Sequence, residues 1–313
     1  MAERIYQGQN GDGIDRRGFL ECMAWVGTGL VWSVGGGVLS SRTLADDIPA
    51  QGDFTFVQIS DSHIGFAKDP NKDVAATLQQ TVARINKLPK RPDLILHTGD
   101  LTHLAKPEEF DTVAEILKGA KTGKIACVPG EHDVDTDDAI YLERYGKGTQ
   151  GTGWQSFDHK GMHFVGLVNV LERSNAGLGH LGKEQLKWLK ADLSDRSAST
   201  PIVLFAHVPL WSVYPKWGWS TDDSAEALSY IKRFGSVTVL NGHIHQILQK
   251  VEGNITFHTA RSTAFPQPEA GKAESPGPIK TVPAEKLRGM LGLTEVRYVE
   301  HKRSLAIVDS TLQ

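Results

Sequence analysis

Phe54-Thr55-Phe56-Val57-Gln58-Ile59-Ser60-Asp61-Ser62-His63 is an apolar run that ends in a polar tip. Its first six residues have the aromatic and β-branched content of a buried strand. The pattern recurs. Asp93-Leu94-Ile95-Leu96-His97 runs into Thr98-Gly99-Asp100, and Lys124-Ile125-Ala126-Cys127-Val128 runs into Pro129-Gly130-Glu131-His132-Asp133. Pro201-Ile202-Val203-Leu204-Phe205-Ala206 ends on His207, and Val237-Thr238-Val239-Leu240 ends in Asn241-Gly242-His243-Ile244-His245. Strands that each deliver Asp, Glu or His at their carboxyl ends place those groups where the loops of a helix-flanked sheet converge. A strand end is also rigid, as a metal ligand must be.

Between the strands a helical spacing returns. Val74, Leu78, Val82 and Ile85 predict a helix over residues 71–88, stopped by Pro89. Pro107 opens a second helix to residue 117, and residues 183–193 read as a third. Residues 154–157 and 162–168 flank Asp158-His159-Lys160-Gly161 as a hairpin, and two more strand pairs are expected within 246–258 and 295–308. Residues 265–283, rich in Pro, Gly, Ala and Ser, read as an irregular excursion over the surface. No internal repeat is found.

The chain has 313 residues, 40% hydrophobic and 23% charged, an ordinary globular composition long enough for one large core. A net charge of -3 gives no bulk attraction to nucleic acid or to an anionic membrane surface. Near the start, Asp15-Arg16-Arg17-Gly18-Phe19-Leu20 precedes a weakly apolar, glycine-rich stretch and then Thr43-Leu44-Ala45. This resembles a twin-arginine export signal with its small-residue cleavage site. The glycine content of residues 26–39 is poor for a permanent span, which needs about 20 apolar residues. The expectation is a signal over residues 1–45, recognition by the twin-arginine export machinery, a periplasmic or otherwise exported destination without a stable membrane span, and one domain over residues 52–313. Such export carries folded proteins, so metals could be acquired before it. Of the two cysteines, Cys22 would leave with the signal, and Cys127 reads as a buried strand residue, not a nucleophile.

The blocks Asp61-Ser62-His63, Gly99-Asp100, Gly130-Glu131-His132-Asp133, His207 and Gly242-His243-Ile244-His245 resemble, in order and interval, those of the calcineurin-like metallophosphoesterase family. The resemblance covers residues 54–264. It implies a four-layer αββα sandwich, with two mixed β-sheets packed together and helices outside. Carried over position by position, it implies one metal ion held by Asp61, His63 and His245, a second by Glu131, His207 and His243, and Asp100 bridging them. Imidazole and carboxylate together suit Mn or Fe, with Zn also possible. A hydroxide shared by the two ions would attack the phosphorus of a small-molecule phosphoester. His132 would stand on the leaving-group side as general acid or as a donor to phosphate.

Two positions depart from the family pattern. Glu131 stands where the family usually has asparagine, and adds a third carboxylate to those of Asp61 and Asp100; one more negative charge favours metal over phosphate. His103 stands where the family usually has an aspartate paired with the residue corresponding to His132, so a catalytic role is assigned to His103 beside His132. Glu131 could restore the negative charge that this exchange removes.

Among the remaining candidates, His97 reads as a core residue or a supporting one, and His159, His163, His180 and His301 as ordinary loop and hairpin histidines. His258 with Arg261 could contact phosphate. Trp211, Tyr214, Trp217 and Trp219 follow His207 closely; they could stack on a base or bury themselves as a small core. The functional expectation is an exported metal-dependent phosphoesterase, a phosphodiesterase in preference to a phosphomonoesterase. The alternative is a non-hydrolytic or weakly active metal-binding protein of the cell envelope. A haem or copper redox protein lacks the Cys and Met ligands it would need.

Overall fold

In the computed structural model, residues 30–35, 38–43, 53–134, 139–172, 177–298 and 305–313 are described. The paired arginines Arg16 and Arg17, and His301, lie outside them. The chain forms two units, Met1–Gln51 and Gly52–Gln313. In the first, β1 (Leu30–Gly35) pairs antiparallel with β2 (Val38–Thr43). No helix among the described residues is long and apolar enough to cross a membrane.

In the second unit, strands and helices alternate as β3 (Phe54–Ile59), α1 (Val74–Ile85), β4 (Leu94–His97), α2 (Pro107–Lys118), β5 (Lys124–Cys127) and α3 (Ala139–Tyr145). A hairpin of β6 (Gln155–His159) and β7 (Met162–Gly166) is followed by α4 (Lys183–Ser194), β8 (Ile202–Ala206), α5 (Ser224–Ile231) and β9 (Val237–Asn241). The chain closes with β10 (Gln249–Glu252), β11 (Ile255–Thr259), α6 (Ala284–Met290), β12 (Gly292–Tyr298) and β13 (Ala306–Thr311). One sheet has the order β13-β12-β3-β4-β5 and the other β10-β11-β9-β8-β7-β6. Within the first, β3, β4 and β5 are parallel; within the second, β7, β8, β9 and β11 are parallel. The remaining pairings are antiparallel, so both sheets are mixed.

Strand alternation assigns the layers. Phe54 and Phe56 of β3, Leu94 and Leu96 of β4, Phe164 of β7, Val203 and Phe205 of β8 and Leu240 of β9 form one cluster between the sheets. Complete burial of each such side chain contributes about 2 kcal/mol. Val57, Ile59, Ile95 and Cys127 face the other way, against Leu78, Val82, Phe110, Val113 and Tyr141 of α1, α2 and α3. Val165, Leu204, Val239 and Phe257 likewise meet Leu186, Leu189, Ala227 and Ile231 of α4 and α5. The result is two mixed sheets with helices outside, as the sequence leads one to expect.

Gln58 occupies an inward position and is fully buried. Its Nε2 donates to Thr98 Oγ1 at 3.1 Å and to the Asn241 carbonyl at 3.0 Å, which ties the ends of β3, β4 and β9 together across the sandwich. The helix after β3 is shorter than the apolar spacing suggests. It starts at the Asp73 cap, whose carboxylate accepts from Ala76 N–H at 2.9 Å. It ends at Ile85, ahead of Pro89, where the Asn86 side chain turns to Gly119 and Lys121 at the end of α2.

Candidate metal centre

Every proposed ligand follows directly on a parallel strand. Asp61 and His63 follow β3, Asp100 follows β4, Glu131 follows β5, His207 follows β8, and His243 and His245 follow β9. The ladder between β3 and β4 continues into the loops: Asp61 N–H donates to the Gly99 carbonyl and His63 N–H to the Asp100 carbonyl, both at 3.0 Å. Across the sandwich, His243 N–H donates to Asp61 Oδ1 at 3.1 Å, which brings the tips of β3 and β9 into one cluster.

The backbone is strained where the proposed ligands sit. Asp61, His63, Asp100, His243 and His245 have φ of 54°, 43°, 53°, 69° and 54°. Side chains other than glycine rarely adopt this left-handed region, and such residues cluster at functional sites. Glycine at two neighbouring positions makes room for the carboxylates. A Cβ on Gly130 would stand 2.1 Å from Asp100 Oδ1, and one on Gly242 would stand 2.0 Å from Ser60 Oγ and 2.8 Å from Asp61 Oδ2.

Among the described residues, two of the groups of ligand atoms that lie close together are the two proposed sites. Asp61, His63 and His245 form one: His245 Nε2 lies 3.2 Å from Asp61 Oδ1 and 3.3 Å from His63 Nε2. Glu131, His207 and His243 form the other: the Glu131 carboxylate oxygens lie 2.9 Å from His207 Nε2 and 3.0 Å from His243 Nδ1. Asp100 stands between them, its Oδ2 3.4 Å from His63 Nε2 and 3.3 Å from His207 Nε2. All of these side chains are buried except that of Glu131, which is partly exposed.

The donors fit metal ions. Asp61 Oδ2 and His207 Nε2 are buried and carry no hydrogen bond among the described residues, although carboxylate oxygens surround the latter. His207 Nδ1 donates to the Thr98 carbonyl at 2.7 Å and His245 Nδ1 to that of Phe265 at 2.5 Å. Each bond puts the ring proton on Nδ1 and aims the Nε2 lone pair into the cluster, the arrangement usual for histidine ligands.

Charge is balanced within the cluster. Burial disfavours protonated His207, but Asp100 and Glu131 outweigh it and hold the ring well above its ordinary value. Glu131 is held well below its ordinary value, because His243 and His207 outweigh burial. Burial, reinforced by His245, His132 and His103, keeps His63 well below its ordinary value. A metal ion and a proton therefore compete for the same atoms.

His132 sits at the edge of the cluster. Its N–H donates to Asp100 Oδ1 at 3.0 Å, and its ring stacks on that of His103 with centroids 4.8 Å apart and planes 16° apart. Burial lowers its proton affinity, yet Asp100, Glu131 and the His103 carbonyl raise it further, and the net shift is upward. His132 Nδ1 donates to the main-chain carbonyl of His103 at 2.9 Å. The expectation that the His103 side chain replaces the family aspartate as partner is thereby corrected. The carbonyl takes that place because the His103 ring turns toward His63, with Nδ1 to Nδ1 at 3.4 Å.

Several supporting residues escape a reading of the sequence. The Asp133 carboxylate accepts the N–H groups of Leu101, Thr102 and Gly130 at 3.0, 2.8 and 2.9 Å, so it locks the Glu131 loop to the Asp100 loop. Burial and the neighbouring Asp100 push it up to about 7, against those donors, which favour its ionised form. Ser262 Oγ donates to the Asp61 carbonyl at 2.8 Å. The segment 265–283 contains no helix or strand, but it begins inside the site and not on the surface. Phe265 is buried, stacked on His63 at 4.7 Å, and Gln267 Nε2 donates to the His243 carbonyl at 3.1 Å.

Other candidates lie elsewhere. His97 is buried, pushed down to about 4 by burial, with Nε2 2.7 Å from Ser62 Oγ. His258 faces the opposite sheet, its Nε2 3.0 Å from Asp309 Oδ2, and Arg261 donates to the Gly289 carbonyl. Neither joins the ligand groups, because Phe257 takes the helix-facing side of β11 and turns its neighbour inward. His163 is no ordinary hairpin residue: it is fully buried between Asp158 and Asp192 at 2.8 and 2.7 Å. His159 lies 3.5 Å from Asp93, and His180 lies 2.7 Å from Asp222. Trp217 and Trp219 bury themselves against Ile244, between two proposed ligands, and Trp211 packs on Phe257. Cys127 is buried and reduced, its thiol pushed upward by burial.

The family model for calcineurin-like phosphoesterases matches residues 54–247, which include every strand tip described above. A glycerophosphodiester phosphodiesterase of Enterobacter lignolyticus is 27% identical over 263 residues, 79% of this chain and 90% of that protein. A 3′,5′-cyclic-nucleotide phosphodiesterase of Nostoc is 25% identical over 217 residues, 67% of this chain and 79% of that relative. A solved dimetal phosphatase from Danio rerio shares the fold, with a TM-score of 0.62 at 14% identity over 83% of this chain and 99% of its own. The chain belongs to the calcineurin-like phosphoesterase family, as a metal-dependent phosphoric ester hydrolase.

Proposed function

We propose that this chain is an exported phosphodiesterase working with two metal ions. Asp61, His63 and His245 would hold one ion and Glu131, His207 and His243 the other, with Asp100 shared. The observation that carries this is the position of Asp100, whose Oδ2 faces His63 Nε2 at 3.4 Å and His207 Nε2 at 3.3 Å. Bound ions supply Lewis acidity toward phosphate oxygens and make water nucleophilic near neutral pH. Mixed imidazole and carboxylate donors favour Mn or Fe and accommodate Zn.

The chain's own residues complete the chemistry. The Thr98 and Phe265 carbonyls keep His207 and His245 in the ligating tautomer. His132, held through Nδ1 by the His103 carbonyl, keeps Nε2 for the leaving oxygen, to which it gives a proton as the phosphorus–oxygen bond breaks. Asp100 and Glu131 favour its protonated form. The two relatives above, both named phosphodiesterases, support a diester substrate, and Arg16-Arg17 supports export to the periplasm.

Loading the protein with Mn or Fe and measuring turnover of bis(p-nitrophenyl) phosphate and p-nitrophenyl phosphate tests this reading. Faster cleavage of the diester, with two equivalents of metal by elemental analysis, is the expected result. Two bound metals without turnover of either compound would replace it with a non-hydrolytic metal-binding protein of the cell envelope.

A further inference from the structure

His63 differs from the other histidines that aim Nε2 inward in what lies behind it. His207 and His245 each turn Nδ1 to a carbonyl oxygen, which can only accept. Behind His63 Nδ1 stands another ring nitrogen, Nδ1 of His103, at 3.4 Å. Of two ring nitrogens facing each other in a hydrogen bond, one donates and the other accepts. The far side of His63 settles which. Its Nε2 points at Asp100 Oδ2 at 3.4 Å and at His245 Nε2 at 3.3 Å, so this nitrogen must offer a lone pair if the cluster holds an ion. A neutral imidazole with its lone pair on Nε2 carries its proton on Nδ1. His63 therefore donates and His103 accepts.

His103 is built to hold that position. Its N–H donates to the buried Glu109 carboxylate at 3.2 Å, and its carbonyl accepts from His132 Nδ1 at 2.9 Å. Its ring lies between the stacked ring of His132 and the edge-on ring of Phe66, with centroids at 4.8 and 5.3 Å. A side chain fixed from so many directions presents Nδ1 at a set angle.

We propose that His103 is a positioning residue for the metal ligand His63. Its Nδ1 takes the His63 Nδ1 proton in a hydrogen bond and so fixes the His63 Nε2 lone pair on the metal. The same residue serves His132 through its main chain, so the two services are separable: a change of side chain loosens the metal and leaves the acceptor of His132 in place. This rests on the ligand assignment proposed above.

The test uses the full chain, stripped of metal and titrated with Co(II), as wild type, His103→Ala and His103→Asn. The asparagine amide oxygen reaches the place of Nδ1 and can accept. The wild type should bind two equivalents. His103→Ala should weaken one of the two by about 10- to 100-fold and spare the other, and His103→Asn should recover most of the loss. In the Co(II) protein, an exchangeable, paramagnetically shifted ring N–H resonance should be lost to solvent exchange in His103→Ala and return in His103→Asn. Unchanged affinities in His103→Ala, or an asparagine variant no better than alanine, overturns the proposal. A wild type that binds three equivalents, of which His103→Ala loses one, makes His103 a ligand and overturns it too. A wild type that binds no metal sinks the ligand assignment itself, a result distinct from the others.

Discussion

Asp133 Oδ1 accepts both the N–H and the hydroxyl of Thr102, each at 2.8 Å. The loops that carry Glu131 and Asp100 are thus closed by one buried carboxylate. In Asp133→Asn, with the amide oxygen kept toward Thr102, the NH2 group would face the N–H donors of both Leu101 and Gly130. A loss of about 2 kcal/mol is expected, because a buried donor is left unsatisfied. Urea unfolding with an unchanged slope and a lower midpoint checks this, and metal content should fall alongside.

Gly130→Ala puts a methyl group where Asp100 Oδ1 stands, 2.1 Å away. The shared carboxylate must then move. Turnover of the loaded enzyme should drop at least 100-fold (an order-of-magnitude loss for a displacement of about 1 Å) while the circular dichroism spectrum is retained. Wild-type turnover in this variant would show that Asp100 need not sit where it does.

Exchange of Glu131 for asparagine removes the carboxylate that faces both His207 and His243. Metal affinity of that group should weaken by roughly 10-fold or more, about 1.4 kcal/mol. Unchanged metal content with unchanged or higher diester turnover would refute a role for Glu131 in holding the ion or in charging His132.

His258 gives a contrasting case. It meets Asp309 at 3.0 Å between the sheets, away from the ligand groups. His258→Leu should cost about 1 kcal/mol by removing one of the two hydrogen-bond partners of Asp309 and leave kcat and KM unchanged in the metal-loaded enzyme.

Acid stability follows from Asp192 and Asp309. Burial raises both, but hydrogen bonds from His163 and His258 outweigh it, and both carboxyls lie below their ordinary values. Groups depressed in the folded state stabilise it above their unfolded value, about 3.9, and that stability is lost as pH falls through the folded value. Their contribution, read for Asp192 as the difference in melting temperature between the wild type and Asp192→Asn, should hold from neutral pH to about 4.5 and shrink below about 4.

The strands and the side chains that cluster at their tips were legible because each of those side chains follows an apolar run, and runs of that kind need only a period of two and a polar stop. Their supports were not. Thr98 and Phe265 act through carbonyl groups that every residue carries, so no residue type advertises them; His103 stands out as a histidine, but it is its carbonyl that serves His132. α3, α5 and α6 are too short for a helical period to repeat, and tertiary packing of Tyr141, Ile231 and Leu287 secures them instead. His258 looked near the site because it precedes a strand end. Which face it takes depends on register with β9, where His258 pairs with Leu240.

The left-handed backbone at Asp61, His63, Asp100, His243 and His245 has one more consequence. Aspartate and histidine are among the few residues besides glycine that tolerate this conformation. Folding, not ion capture, therefore meets the entropic cost of arranging the donors. An ion held by these residues would find its cage already shaped, and on leaving would let the loops stand. Metals should exchange without local unfolding, and amide protons along these loops should stay protected in the stripped protein. The cage is a property of the folded chain that the ion inherits.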